Sequence, residues 1–315
     1  MNNLLALFLC LCFVCYGFRV VGGWGRGVPT VGNGVPAKKP IMWHVGLYKK
    51  SKNYFRHICG GTIIAKQAVI TAAHCFTPDR YIPPASDYAV GAGKLYRLWN
   101  HPTDQIAQKF DVVEIYFPSR YQGSLANYQD DLAIAILDRE LIYNAGVGPA
   151  CLNFDPVFDE NELAEGRFGM VVGWGLTGAN ERPSPTLQAA TLPIVQINKC
   201  IEQSPIGFRS SITSDKICAG YNNGTAVCRG DSGGGLIFTS HTEGYSELYL
   251  RGVISTSPTS EDACNLYTWA AFTHILKHER FITSIVPDVE QSCSPQIENR
   301  YTARHFQGTN TCVCK

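Results

Sequence analysis

The sequence has almost no net charge: 27 Lys and Arg offset 26 Asp and Glu, leaving +1. Without an excess of either sign there is no global attraction to nucleic acid or to an acidic membrane surface. Charged residues make up only 17% of the chain, unlike a solvated disordered polymer. Long apolar runs are scarce as well. One extends from Leu4 to about Phe18, and no second run of spanning length follows. It is short for a bilayer span. It reads as a secretory signal peptide over residues 1–17, with Cys15 and Gly17 as the small residues before the cut, although the n-region lacks Lys and Arg. Internal repeats and low-complexity tracts are absent. Zinc-type spacing is missing too: outside the signal peptide Cys312 and Cys314 are the one close cysteine pair, and no His/Cys pair with ligand spacing accompanies them. No metal and no cofactor is therefore expected, and no nucleic-acid or membrane partner.

What the chain does have is glycine, 30 residues of it, and many short apolar runs. Residues 41–48, 61–65, 68–73, 131–137, 169–175 and 248–255 are rich in β-branched and aromatic side chains and bounded by turn residues. Many such strands predict an all-β barrel or sandwich. One helix is predicted between Thr273 and Val286, where Phe272, Ile275, Phe281, Ile282 and Ile285 fall on roughly one face. Residues 18–30 read as an exposed leader or pro-segment, 31–286 as the folded domain and 287–315 as a polar, Cys-bearing tail. Three of the 13 cysteines would leave with the signal peptide. The ten that remain are an even number in an exported chain, which argues for disulfides.

Three fragments carry candidate chemistry. Residues 71–75 put His74 at the end of an apolar strand, residues 130–134 lead a carboxylate into another, and residues 230–234 set Ser232 among glycines. A serine nucleophile needs an imidazole to take its proton and a buried carboxylate to hold that imidazole in one tautomer. Glycines beside the serine let backbone N–H groups approach a developing oxyanion, a contribution of roughly 3–4 kcal/mol per donor. Each fragment alone is commonplace: a half-buried histidine, a strand-leading aspartate, a tight turn. Their order is not, with Cys75 after the histidine and Cys228 four residues before the serine.

Together with residues 59–64, 173–175 and 218–220, these fragments resemble the chymotrypsin/trypsin family of serine proteases over residues 41 to about 286. The resemblance implies two six-stranded antiparallel β-barrels, a C-terminal helix and an active site in the cleft between barrels. It implies His74 as general base and then acid, Asp131 as the carboxylate that orients it, and Ser232 as nucleophile. The N–H groups of Gly230 and Ser232 would form the oxyanion hole. Asp130 competes with Asp131, which is preferred because the family's acid stands directly before an apolar-Ala-apolar run, here Leu132-Ala133-Ile134. Disulfides Cys59–Cys75, Cys200–Cys218 and Cys228–Cys264 are implied as well. Cys151, Cys293, Cys312 and Cys314 are left over. Cys151 either joins the tail, with the other two tail cysteines paired, or forms an intermolecular bond or stays a free thiol.

In trypsin-like relatives an acidic residue six positions before the serine selects Lys or Arg. Here that position is Ala226, followed by Val227. Desolvating an unpaired Lys or Arg against such a floor is costly. An uncharged P1 residue is expected, in a pocket of Ala226, Val227, Ser255, Ser257 and Ala270. Activation in the family frees an apolar N-terminus whose ammonium pairs with the aspartate before the serine, here Asp231. Val31 has the right spacing but follows Thr30; Val20 follows Arg19 but lies about a dozen residues too far upstream of Trp43. Val31 is preferred. Asn223-Gly224-Thr225 is either a glycosylation sequon or a plain turn.

Gly235 stands where proline usually follows Asp-Ser-Gly-Gly. With residues 43–48 and 227–236 it resembles the arthropod modular serine proteases, which start immune cascades. The leader is too short for recognition modules, so a venom or digestive protease is an equal reading. The resemblance also implies a secreted, extracellular monomer made as a zymogen, with protein substrates and serpin-type inhibitors as partners. The opposing reading is a catalytically dead homologue acting as a binding or cofactor protein. Such homologues usually lose the Ser or the His, and both are present here.

Overall fold

The computed structural model describes residues 35–77, 83–176, 182–221, 227–242, 245–260, 263–264 and 268–291, without the side chains of residues 241, 242, 245, 259, 260, 263 and 264. A two-residue strand, β1 (Val35–Pro36), precedes the first barrel. That barrel contains β2 (His44–Lys50), β3 (Phe55–Ala65), β4 (Ala68–Thr71), β5 (Tyr88–Ala92), β6 (Gln108–Tyr116) and β7 (Ala133–Leu137). Neighbours run antiparallel in the order β2-β3-β4-β7-β6-β5, and β5 pairs back onto β2 to close it. The apolar runs read from the sequence supply the buried side chains, among them Val45, Ile63, Ile70, Val90 and Ile134. Each contributes about 1.5–3 kcal/mol by leaving water.

The second barrel contains β8 (Phe168–Gly173), β9 (Gln188–Val195), β10 (Lys216–Ala219), β11 (Gly235–Thr242) and β12 (Tyr245–Thr256). After the small ribbon of β13 (Thr259–Ser260) and β14 (Ala263–Cys264) comes its sixth strand, β15 (Ala270–His274). The order β9-β10-β15-β12-β11-β8 closes through a β8–β9 pairing, and β1 straps onto β9. Side chains alternate faces along a strand. On β11, Leu236 and Phe238 pack inside the second barrel while Ile237 between them joins the core of the first. This strand therefore seams the two halves.

The predicted helix between Thr273 and Val286 is present over residues 279–285, and its start is corrected. Residues 270–274 form β15 instead, fully buried and paired on both sides with β10 and β12. Two sheet partners outweigh a weak helical period. A short 3₁₀ turn, Leu276–His278, follows. Among the described residues four short helices sit outside the sheets: α1 (Pro156–Glu162), α2 (Ile197–Gln203), α3 (Ile206–Arg209) and α4 (Glu279–Ile285). In α1 the Asp155 carboxylate accepts the N–H groups of Val157 and Phe158, and Pro156 occupies the first turn. The stretch after Pro287 does not leave the body at once. Val289 is fully buried in the first barrel's core, and Glu290 accepts the N–H of Phe154 at 3.1 Å. No helix among the described residues is long and apolar enough to cross a membrane.

His44 and His57 lie against Trp174, with ring centroids 5.0 and 5.3 Å away. No described group hydrogen-bonds either nitrogen of His44 or Nε2 of His57. Burial pushes both rings down to about 3, with His44 and Arg97 adding to the effect on His57.

Gly235, the departure from the usual proline, has a packing reason. A Cβ there would collide with Thr62 Oγ1 on β3 and stand 2.7 Å from Leu250 Cδ1 on β12. Gly235→Ala is expected to cost about 1–3 kcal/mol by overpacking. Urea denaturation measures it; an unchanged midpoint would mean that the seam yields freely.

Candidate active site

Strand β4 ends at Thr71, Ala72 stays extended, and the chain then turns through a 3₁₀ turn, Ala73–Cys75, that aims His74 outward. A disulfide from Cys75 to Cys59 on β3 ties the turn down. Asp131, just before β7, has no exposed surface. Its Oδ1 accepts the backbone N–H of His74 at 2.9 Å, and its Oδ2 lies 2.8 Å from His74 Nδ1. An ionised carboxylate only accepts, so the ring proton sits on Nδ1 and Nε2 is left as a base. Ser255 Oγ donates to the same Oδ2 at 2.6 Å, and Thr273 Oγ1 donates to the Asp131 carbonyl at 2.9 Å.

These contacts set the protonation balance. For Asp131, burial pushes the carboxyl up, but His74 and the bonds from His74 and Ser255 outweigh it, and the net displacement is downward. For His74, burial works against the charged ring, yet the Asp131 charge and hydrogen bond prevail and move it upward, with Lys216 opposing. The pair is built to carry a proton on the ring.

Ser232 sits partly exposed in a turn closed by Asp231 N–H to Cys228 C=O and Gly234 N–H to Asp231 C=O, at 2.9 and 3.0 Å. Two straps hold this turn. Gly60 N–H donates to the Ser232 carbonyl, and Gly233 N–H to the Ile254 carbonyl, each at 2.8 Å. Gly233 has φ +80°, and a Cβ there would run into Thr71 Oγ1 and stand 2.6 Å from the Gly60 carbonyl. Only glycine lets the serine turn pack on the end of the strand that leads to His74. Gly230, with φ +100°, faces Gly175.

Asp231 is 1% exposed. Its oxygens accept the N–H groups of Gly175 and Cys228 at 2.8 and 3.0 Å. Burial pushes its carboxyl up to about 6, and those two bonds offset it only in part.

The expected pocket residues divide. Val227 and Ala270 lie in the second barrel's apolar core. Ser257 is half-buried beyond β12. Ser255 is not a free pocket wall, because its hydroxyl is drawn to the buried charge of Asp131. Ala226, Val31 and Asn223 lie outside the described residues. Asp130 turns away from His74 toward Arg120 and His278. A disulfide links Cys200 and Cys218. Cys151 and Cys228 are also disulfide-bonded. The side chain of Cys264 and all of Cys293, Cys312 and Cys314 lie outside the described residues. Sequence reading missed Thr273 and also Tyr128, whose ring stands edge-on to His74 with centroids 6.1 Å apart. Neither lies in a recognisable motif. Cys59, His74 and Cys75 present three potential metal ligands within 4.8 Å, but both sulfurs are spent on their disulfide.

The family model described as Trypsin matches residues 31–276. The chain belongs to the trypsin family. It is 30% identical over 231 residues to the clotting factor G beta subunit of Tachypleus tridentatus, covering 71% of this chain and 70% of that protein. With Limulus clotting factor C of Carcinoscorpius rotundicauda the identity is 28% over 273 residues, covering 78% of this chain. With melanization protease 1 of Drosophila melanogaster it is 31% over 264 residues, again covering 78% of this chain. The chain spans only 26% of the length of the factor C relative and 62% of the melanization protease. Membership makes this a serine endopeptidase with protein substrates, on the two-barrel fold described above.

In this trypsin-family chain the Asp231 carboxyl stands at about 6, against an ordinary 3.8. A raised folded value means that its contribution is fully present below pH 4 and is lost as pH rises through 6. That interval corresponds to about 3 kcal/mol. Relative to Asp231→Asn, the chain should therefore lose about 2–3 kcal/mol between pH 4 and pH 7. Urea denaturation of both proteins across that range is the check, and a difference that does not vary with pH would mean that a cation already faces the carboxylate.

Proposed function

We propose that the protein is a secreted zymogen that, once cut before Val31, hydrolyses peptide bonds through His74, Asp131 and Ser232. The observation that carries this reading is the Asp131 carboxylate, with one oxygen on the backbone and the other on the ring of His74. In the proposed reaction, Ser232 Oγ attacks the scissile carbonyl while its proton passes to His74 Nε2. The imidazolium is stabilised by Asp131, held in place by Ser255 and Thr273. The N–H groups of Gly230 and Ser232 receive the oxyanion. Collapse expels the amine, which takes the proton from His74. Water then attacks the acyl-enzyme by the same path in reverse, its proton passing through His74 to Ser232.

Activation fits the state of Asp231. A buried carboxylate raised to about 6 is poised to gain from an ammonium. The new N-terminus at Val31 is the cation that the proposed cut would deliver. This arrangement gives residues 1–17 to a signal peptide, 18–30 to a pro-segment, 31–286 to the protease and the rest to a tail. For specificity, Ala226 and the apolar surroundings of Val227 and Ala270 favour an uncharged P1 residue. A place in an arthropod-type clotting or melanization cascade is the role that the names of the relatives support.

A fluorophosphonate probe should label Ser232 of the cut protein and leave Ser232→Ala unlabelled; equal labelling of both would overturn the assignment. Asp131→Asn should lower turnover by a factor on the order of 10⁴ while leaving the fold intact. N-terminal sequencing should read Val31 onward, and a peptide library should be cleaved after uncharged residues. Cleavage mainly after Lys or Arg would refute the specificity.

A further inference from the structure

We propose that Asp130 is a positioning residue that locks the neighbouring Asp131 to the second barrel and to the lead-in of the terminal helix. The proposal rests on the triad reading above. Asp130 is a buried non-glycine residue with φ +55°. Left-handed backbone is disfavoured for any residue with a Cβ and persists where the surroundings enforce it. Asn127 and Tyr128, in the same loop, are left-handed as well, at φ 51° and 59°.

The enforcing contacts come mainly from the second barrel. Asp130 N–H donates to Asp215 Oδ2 at 3.0 Å. Asp215 pairs with Lys216 Nζ at 2.6 Å, and that ammonium also donates to the Tyr128 carbonyl at 2.8 Å. The loop before Asp131 is therefore gripped at two points from the start of β10. The Asp130 carboxylate lies 3.2 Å from His278 Nε2, whose Nδ1 in turn lies 2.9 Å from the His274 carbonyl. Both ring nitrogens thus face an oxygen acceptor, which fixes the ring between the Asp130 loop and the terminal turn. Finally, Leu132 N–H donates to the Asp130 carbonyl at 2.8 Å, closing a tight turn with Asp131 at its centre.

The side chains of Asp130, Asp215, Lys216 and His278 are each at most 6% exposed. Arg120 also pairs with Asp130 at 3.1 Å, but it is 77% exposed, so water screens that pair. Asp130, Asp215 and His278 place three potential metal ligands within 4.8 Å. The Lys216 ammonium already supplies a cation there, and an ion would have to displace it. The arrangement is better suited to fixing backbone than to binding. What it fixes is the one residue of the triad that must be held at constant distance from His74.

The test uses activated protein whose new N-terminus has been verified, with a fluorophosphonate as probe. The maximal labelling rate at Ser232 and the half-saturating probe concentration are measured separately. Asp130→Ala and His278→Leu should each lower the maximal rate about tenfold with half-saturation within about twofold, because misplacing a catalytic group slows chemistry rather than binding. His278→Gln keeps a donor toward Asp130 and should recover to within about threefold of the parent rate. Circular dichroism establishes that each variant is folded. Folded Asp130→Ala or His278→Leu with an unchanged maximal rate, or a loss confined to half-saturation, would overturn the proposal. Should Asp130→Ala fail to fold, the two His278 variants decide: equal rates in both overturn it, and rescue by Gln supports it. A parent protein that does not label at Ser232 would instead sink the triad reading itself.

Discussion

A carboxylate with no exposed surface, Asp131, sits where the two barrels meet. An isolated ionised carboxylate in such a place is prohibitively costly. It is tolerated because the backbone and ring of His74 and the hydroxyl of Ser255 all point at its two oxygens. His74 and Asp131 flank strands of the first barrel, whereas Ser255 and Thr273 belong to strands of the second. The barrels therefore cannot dock in another way without stranding this charge. The same hydrogen bonds that make the charge bearable orient the imidazole. Fold and chemistry share a single constraint.

Asp231 is the instructive contrast. It is as buried as Asp131 and only one residue from the serine, yet it accepts from two backbone N–H groups and its carboxyl is driven upward rather than downward. One carboxylate has a charged partner built into the fold; the other has backbone N–H groups, and under the proposed function its cation comes with a cut. Burial is common to both. Their partners, the charge of His74 above all, decide the direction in which each carboxyl moves.

Much of this was legible in the chain. The short apolar runs gave the strands because each alternates into a closed sheet, and the preference for Asp131 over Asp130 rested on its place before Leu132-Ala133-Ile134. The failures have physical causes. Thr273 read as helix because a 3.6-residue period and a buried strand look alike over a few apolar residues, and the sheet partners that decide between them lie far along the chain. The pairing of Ser255 with Asp131 left no local sign, because its hydroxyl answers to a charge 124 residues away. The grip of Asp215, Lys216 and His278 on the Asp130 loop has no local signature either, since it joins segments up to 148 residues apart.

The two histidines packed on Trp174 carry a consequence for the lifetime of the molecule. Each is held neutral, at about 3, and each must take up a proton when the chain unfolds in mild acid. A depressed value of this kind lends its full stability above pH 6.5 and withdraws it as the pH falls toward 3. In neutral fluid the rings are silent. As the pH falls they become levers against the packing between strands β2 and β3 and Trp174, beside the serine turn, so acid loosens the fold from within its aromatic packing.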